Sequence, residues 1–194
     1  DEMVKMLTGP HPAQSLRMMD EVGLLEKILP EVSAMKGVAQ NPQFHPEGDV
    51  FIHTMLMMEM LHNASVTLAF AALLHDVGKP STIDAETFKS PFHSEEGARM
   101  AEAILKRLRF SNEEIDRITW CVRNHMNFMH VQRMRIGKLK RLMARDTFCD
   151  ELQLHRIDCL ASHGMLDNYD FLLVKEKEFR AEDLKPKPLL SGND

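Results

Sequence analysis

The sequence predicts an all-α fold. Apolar residues recur every three to four positions through nearly the whole chain, which is the spacing of an amphipathic helix. No run of β-branched or aromatic residues alternates long enough to form a strand. Methionine, a common filler between packed helices, occurs 15 times, whereas tryptophan and tyrosine occur once each. These observations favour helices packed around a core within 194 residues.

Capping signals locate several helix starts. Ser111 and Glu114 have the spacing of a capping box, and Ser65 and Ser94 can accept hydrogen bonds from first-turn amides. The Gly-Lys-Pro at 78–80 ends a helix. In chain order, the predicted helices cover residues 12–22, 23–29, 50–62, 65–77, 94–108, 111–125, 136–144, 147–162 and 168–184.

Two stretches without helical periodicity, 37–48 and 80–93, each contain two prolines. We place a domain boundary in the first of them. The predicted organisation is an N-terminal helical segment over 1–40, a main domain over 41–165, and a C-terminal helix with a Lys-Pro-Lys-Pro linker over 166–194.

Composition restricts the cellular context. Cys121, Cys149 and Cys159 are too widely spaced for a disulfide framework or a cysteine-based zinc site. The longest apolar stretch, 66–74, is about half the ~20 residues that a membrane span needs. Because the chain as given opens with acidic residues, we expect no secretory signal in it. We expect a reduced, cytoplasmic protein that does not enter a membrane.

The ten histidines indicate metal or proton chemistry, because several fall on apolar helix faces. His53 shares its stripe with Leu56 and Met57, and the next, almost wholly apolar, helix ends in His75 and Asp76. A buried carboxylate costs several kcal/mol unless it is paired or binds a cation. Asp76 therefore needs a partner.

Two later helices also place potential ligands inward. His125 shares a stripe with Ile118 and Val122, and Asp158 shares one with Leu154. A single histidine on such a stripe is more often a core residue than a ligand, but the joint occurrence favours a metal site. The predicted ligand set is His53, His75, Asp76, His93, His125 and Asp158.

Six nitrogen and carboxylate ligands suffice for one or two divalent ions, with Asp76 bridging a pair. Such ligands suit Mn, Fe, Co, Ni, Zn or Mg, and the sequence does not distinguish among them. Two adjacent ions can hold a phosphate and activate a water, which is the chemistry of phosphohydrolases. We predict Asp76 and Lys79 as catalytic residues. Lys79 could neutralise a substrate phosphate, or it could be a cation that complements the helix dipole.

A basic run follows the last predicted ligand histidine and contains no acidic residue. Such density on a chain of net charge −5 suggests contact with an RNA backbone, and a solvated helix face is the alternative. Nearby Phe128 is the only aromatic residue available for base stacking. The predicted RNA-binding residues are Arg133, Arg135, Lys138, Lys140, Arg141 and Arg145.

The motifs HPEGDVFIHT at 45–54 and LLHDVGKP at 73–80 resemble the HD domain of bacterial tRNA nucleotidyltransferases and poly(A) polymerases. The resemblance extends to residues 37–44, 93–98, 105–111 and 155–164, and the opening around Gly23-Leu24-Leu25 resembles the helical body that precedes this domain in that family. It implies an all-α HD-domain bundle preceded by a short helical body segment. It also implies the metal ligands named above, with His93 and His125 matching the additional ligands of dinuclear members.

The resemblance further implies a metal-dependent phosphohydrolase acting on nucleotide 2′,3′-cyclic phosphates, 2′-phosphates or RNA 3′ ends. The rival interpretation is a non-catalytic tRNA-binding module with a vestigial metal site. The nucleotidyltransferase head of that family needs an Asp-x-Asp pair on a strand, and this sequence contains no Asp-x-Asp. We therefore expect a piece of a longer enzyme that lacks the polymerising head. The sequence does not indicate an oligomeric state.

Overall fold

The computed structural model describes residues 2–181, which form twelve α-helices and one 3₁₀ helix and contain no strand. The all-α prediction is confirmed. In chain order the elements are α1 Glu2–Thr8, α2 Pro12–Glu21, α3 Leu24–Ile28, α4 Pro30–Ser33, α5 Val50–Glu59, α6 Val66–Leu74, α7 Lys79–Thr82, α8 His93–Arg107, α9 Asn112–Asn124, the 3₁₀ helix His125–Arg133, α10 Ile136–Met143, α11 Phe148–Ala161 and α12 Asp167–Ala181.

The centre of the fold is α6, in which every residue from Thr67 to Leu74 is buried. It packs against α9, α11, α5 and α1. Because it is enclosed on all sides, the chain that leaves its C-terminal end enters the interior rather than solvent. Among residues 2–181, no helix combines the length and apolarity that a membrane span requires.

Two hydrophobic clusters stabilise the described chain. The larger one includes Leu7 and Leu25 from the N-terminal helices together with Phe70 of α6. The smaller one joins the 3₁₀ helix, α10, α11 and α12 through residues such as Phe128 and Phe179. The N-terminal helices thus share a core with the elements that follow, and the proposed domain boundaries remain a prediction.

The sequence prediction missed α1, α4, α7 and the 3₁₀ helix. Three of these have seven residues or fewer, too short for a recognisable period, and Pro80 lies in the first turn of α7, where proline is tolerated. The Ser111–Glu114 capping box and the Ser65 cap are confirmed. The predicted Ser94 cap is wrong, because α8 begins at His93. The predicted end of the last helix and the linker lie beyond the described residues.

The loop between α4 and α5 is fastened at its base. The amide of Gln40 donates to the Gly48 carbonyl, and the amide of Val50 donates to the Val38 carbonyl. The Asp49 carboxylate accepts hydrogen bonds from the amides of Gly37 and Ile52. The first bond closes the loop, and the second caps the N-terminus of α5. This fastening brings the loop against the N-terminal half of α5.

The turn after α6 touches the start of α8 without intervening side chains. A Cβ at Gly78 would lie 2.3 Å from the His93 carbonyl oxygen and 2.6 Å from the Gly97 amide nitrogen. The φ of Gly78 is −81°, which any residue can adopt, so backbone conformation does not require glycine here. The close approach of the two backbones does. The contact joins the segment carrying His75 to the helix carrying His93.

A buried carboxyl lies in the contact between α9 and α11. Glu151 is 3% exposed, and its Oε1 accepts hydrogen bonds from Thr147 Oγ1 at 2.6 Å and Trp120 Nε1 at 3.2 Å. Its Oε2 has no partner among the described residues. Burial raises the pKa of Glu151 above its usual value.

We expect Gly78→Ala to lower the free energy of unfolding by about 2 kcal/mol or more, because the added methyl group overlaps the α8 backbone. Gly97→Ala is the matched control. Its Cβ would meet neighbours only at 3.4 Å and beyond, and alanine favours the helix by about 1 kcal/mol. Urea unfolding of both variants measures the difference, and equal stabilities would contradict the close-approach argument.

We expect Glu151→Gln to gain stability relative to the wild type as pH rises. A carboxyl whose pKa is raised on folding contributes stability below its unfolded pKa, near 4.5, and that contribution is lost as pH rises through the folded pKa. The amide does not titrate and keeps an oxygen for Thr147. Urea unfolding between pH 4 and pH 8 tests this, and a difference that stays constant with pH would contradict it.

Candidate metal centre

The structure brings the six side chains predicted as metal ligands together at one interior centre beyond the C-terminal end of α6. The four imidazoles and Asp76 are buried, and the side chain of Asp158 is 25% exposed. They are His53 on α5, His75 and Asp76 after α6, His93 at the start of α8, His125 at the start of the 3₁₀ helix and Asp158 on α11.

The donor atoms form two groups. His53, His75 and Asp158 each offer an atom within 4.8 Å of the others, and Asp76, His93 and His125 do the same. The two carboxylate oxygens of Asp76 reach both groups. Its Oδ2 lies 3.1 Å from His75 Nε2, whereas its Oδ1 lies 3.6 Å from His93 Nε2 and 3.9 Å from His125 Nε2.

Backbone carbonyls orient three of the four imidazoles. The Nδ1 atoms of His75, His93 and His125 lie 2.9, 2.8 and 2.7 Å from the carbonyl oxygens of Ala72, Ser90 and Val122. A carbonyl only accepts hydrogen bonds, so Nδ1 carries the hydrogen in each ring. In a neutral ring Nε2 then keeps a lone pair for a ligand.

The unpaired atoms fit a divalent cation. His93 Nε2 and His125 Nε2 lie 3.2 Å apart, so in the neutral rings two lone pairs face each other. His75 Nε2 and Asp76 Oδ1 are buried and have no hydrogen-bond partner among the described residues. Two nitrogens that each lie about 2.1 Å from one ion stand roughly 3 Å apart. A cation would therefore satisfy atoms that the protein leaves unsatisfied.

Local electrostatics keep most of these ligands in a binding form. Burial acts to raise the pKa of Asp76, but neighbouring His75 and Lys79 outweigh it and hold that pKa well below its usual value. Burial, assisted by His75, lowers the pKa of His125 to about 4. At neutral pH the carboxylate is thus ionised and the His125 ring is neutral.

His53 differs from the other imidazoles. Burial acts to lower its pKa, but the neighbouring carboxylates of Asp158 and Glu47 outweigh that effect and raise the pKa to about 9. In the metal-free protein His53 is therefore protonated at neutral pH. A cation bound at Nε2 would displace that proton.

Lys79 lies inside this centre and not on a solvent-facing helix end. It is 9% exposed, its Nζ lies 2.6 Å from Asp76 Oδ2, and it donates a hydrogen bond to Gln40 Oε1 at 2.5 Å. The structure places Lys79 beside Asp76, and its catalytic role stays a prediction.

Sequence reasoning did not single out Gln40, His45 or Glu47. Glu47 Oε1 lies 2.6 Å from His53 Nδ1 and 2.9 Å from His45 Nδ1, and Gln40 contacts Lys79. All three belong to the loop between α4 and α5, where no helical period exists to assign a face. The available signal was that all three lie in the stretches 37–44 and 45–54, which resemble the HD domain.

The candidate metal centre lies at the floor of a cavity of about 690 Å³, which five of the six predicted ligands line, all except His53. Apolar side chains line its rim, among them Phe44, Met129 and Met165, which are 48%, 52% and 57% exposed. A polar floor with a few convergent groups and an apolar rim is the usual form of a small-ligand site.

The predicted RNA-binding residues occupy three different environments. Four of them line a second concave surface of about 680 Å³, which also includes Asn127 and His130. Lys140 Nζ lies 4.8 Å from the ring centre of Phe179, and Arg145 stacks at 3.4 Å on Trp120. Phe128 is fully buried and unavailable for stacking on a base. The four residues on the concave surface are Arg133, Arg135, Lys138 and Arg141.

Two known protein families match different parts of the chain. The HD domain family matches residues 49–161, and the family described as the probable RNA and SrmB-binding site of polymerase A matches residues 1–36. The first match includes all six predicted metal ligands.

Three curated relatives are similar over most of this chain. The CC-adding tRNA nucleotidyltransferase of Thermus thermophilus is 32% identical over 100% of this chain and 46% of its own length. The multifunctional CCA proteins of Halorhodospira halophila and Cupriavidus metallidurans are 34% and 31% identical over 73% and 78% of this chain, and over 34% and 36% of their own lengths. The chain thus spans less than half of each of these relatives, and by the match across its central helices it belongs to the HD domain family.

Proposed function

We propose that this chain is an HD-type metal-dependent phosphohydrolase domain. Its substrates would be nucleotide or RNA phosphoesters, namely 2′,3′-cyclic phosphates, 2′-phosphates or RNA 3′ ends. The observation that carries the proposal is the convergence of four imidazoles and two carboxylates at one centre, of which all but His53 line the same cavity, with the lone pairs of His93 and His125 facing each other. The parent protein would be a cytoplasmic tRNA nucleotidyltransferase or a poly(A) polymerase-like enzyme.

The proposed metal ligands divide as the donor atoms do. His53, His75 and Asp158 would hold one ion, His93 and His125 the other, and Asp76 would bridge them. Bound divalent ions would supply charge to polarise the phosphoryl group and lower the pKa of a water molecule. Mn, Fe, Co, Ni, Zn and Mg all remain candidates.

The protein's own residues would position the substrate. Lys79 Nζ stands beside Asp76 Oδ2 at the wall of the cavity, so its charge would neutralise a phosphate oxygen placed next to the ligand carboxylate. The apolar rim would cover the less polar part of the substrate. The buried position of the imidazoles would keep bulk water from competing for the ligands.

Elemental analysis and hydrolysis assays test this function. We expect the purified chain to carry one or two divalent transition metal ions and to hydrolyse a nucleoside 2′,3′-cyclic phosphate. Chelation should abolish hydrolysis, and His75→Ala combined with Asp76→Ala should reduce it at least 100-fold, because both proposed ions lose a ligand. Gly97→Ala, which alters no ligand, is the control. Absence of bound metal together with unchanged hydrolysis in the double variant would refute the proposal.

A second candidate function is RNA binding by the concave basic surface, with tRNA as the partner. Arg133, Arg135, Lys138 and Arg141 line this surface, and none of them forms an ion pair with another described residue. Unpaired cations on a concave surface favour a phosphate backbone as ligand. This role is compatible with a catalytic or with a vestigial metal site.

Filter binding to tRNA at several salt concentrations tests RNA binding. We expect affinity to fall steeply with salt and expect Arg135→Glu with Lys138→Glu to lower the salt dependence by about two phosphate contacts. Arg99→Glu with Lys106→Glu is the control, because these exposed cations of α8 are paired within their own helix. Affinity that is independent of salt, or equal losses in both double variants, would rule out this surface.

A further inference from the structure

Glu47 lies behind His53, on the side of the ring away from Asp158. Its Oε1 is 2.6 Å from His53 Nδ1, and His53 Nε2 is 3.1 Å from Asp158 Oδ1. The Glu47 side chain is only 5% exposed, and the same oxygen is 2.9 Å from His45 Nδ1. The fastened loop between α4 and α5 thus presents a buried carboxylate to one proposed ligand.

This contact distinguishes His53 from the other three imidazoles. His75, His93 and His125 place Nδ1 on neutral backbone carbonyls, whereas His53 places Nδ1 beside a charged oxygen. A carboxylate behind a ligating imidazole fixes which nitrogen carries the hydrogen and increases the basicity of the other nitrogen. His53 would therefore be the strongest nitrogen donor of the centre.

Fixed charges around the two donor groups are also unequal. The group of His53 and His75 has Asp158 as a ligand and Glu47 directly behind it. Within residues 2–181, the group of His93 and His125 has no carboxylate apart from Asp76, whose Oδ2 is paired with the Lys79 ammonium at 2.6 Å. Once a divalent cation has displaced the His53 proton, the carboxylates of Asp158 and Glu47 attract it more strongly to the first group than to the second.

We infer that Glu47 is a positioning residue that fixes His53 and makes the His53–His75–Asp158 group the tighter of two unequal cation sites. The inference rests on the proposed function, because it concerns the same metal centre. It adds that the two ions bind in a fixed order, with the tighter site filled first.

Titration with Mn²⁺, followed by calorimetry, tests the inference. The wild-type chain should show two classes of site, and Glu47→Gln should weaken the tighter class about 10-fold to 100-fold while leaving the weaker class unchanged. Glu151→Gln is the matched control, because it makes the same change at another buried glutamate that lies outside the centre. Glu47→Asp, which keeps the charge but shortens the side chain, should weaken the same class and serves if the glutamine variant does not fold.

Nitrogen NMR of the zinc-loaded chain provides a readout that a purely structural role would not change. The hydrogen of His53 should reside on Nδ1 and the metal-bound signal on Nε2. The reverse assignment would overturn the inference and would point instead to a cation held by His45, Glu47 and His53 Nδ1.

The failure of this inference can be separated from the failure of the proposed function. A wild-type chain that binds no Mn²⁺ would refute both. Two equal sites, or two unequal sites that Glu47→Gln leaves unchanged, would overturn only the role of Glu47.

Discussion

Helix α6 is apolar apart from Thr67, yet the chain leaving it carries Asp76 into the interior, and the surrounding elements are arranged around that charge. A buried carboxylate is tolerated only with compensating cations or donors. Lys79 supplies a cation from the next short helix, and His75, His93 and His125 surround the carboxylate from three segments. The glycine contact between the α6 turn and α8 sets how closely these groups can gather.

The parts of the centre that lie on helices could be predicted, because a helix assigns each residue to a face. The inward positions of His53 and His125 followed from their apolar neighbours at helical spacing, and the structure buries both. The contribution of the loop between α4 and α5 could not be predicted from helical spacing, although its sequence carries part of the HD-domain resemblance. Glu47 and Gln40 reach the centre only because hydrogen bonds at the base of the loop fold it against α5.

The basic run shows a similar division. In the sequence its six cations look equivalent. In the structure α10 places Lys138 and Arg141 on one face and Lys140 on another. Arg135, Lys138 and Arg141 are three residues apart and share one side, whereas Lys140 points to Phe179. The helical spacing of these residues could have predicted that Lys140 lies on a different face from the other three. The stacking of Arg145 on Trp120 depends on how α9 lies in space, which the sequence did not reveal.

The 3₁₀ helix places three surroundings on a single short segment. With three residues per turn, positions three apart align along one side. His125, Phe128 and Val131 are buried, Met126 and Met129 line the cavity of the candidate metal centre, and Asn127, His130 and Arg133 line the basic surface. Insertion or deletion of one residue here would rotate the following side chains of this helix by about 120° and exchange these three surroundings. The cavity of the candidate metal centre and the basic surface therefore depend on the same helical register, so that a shift that alters one alters the other.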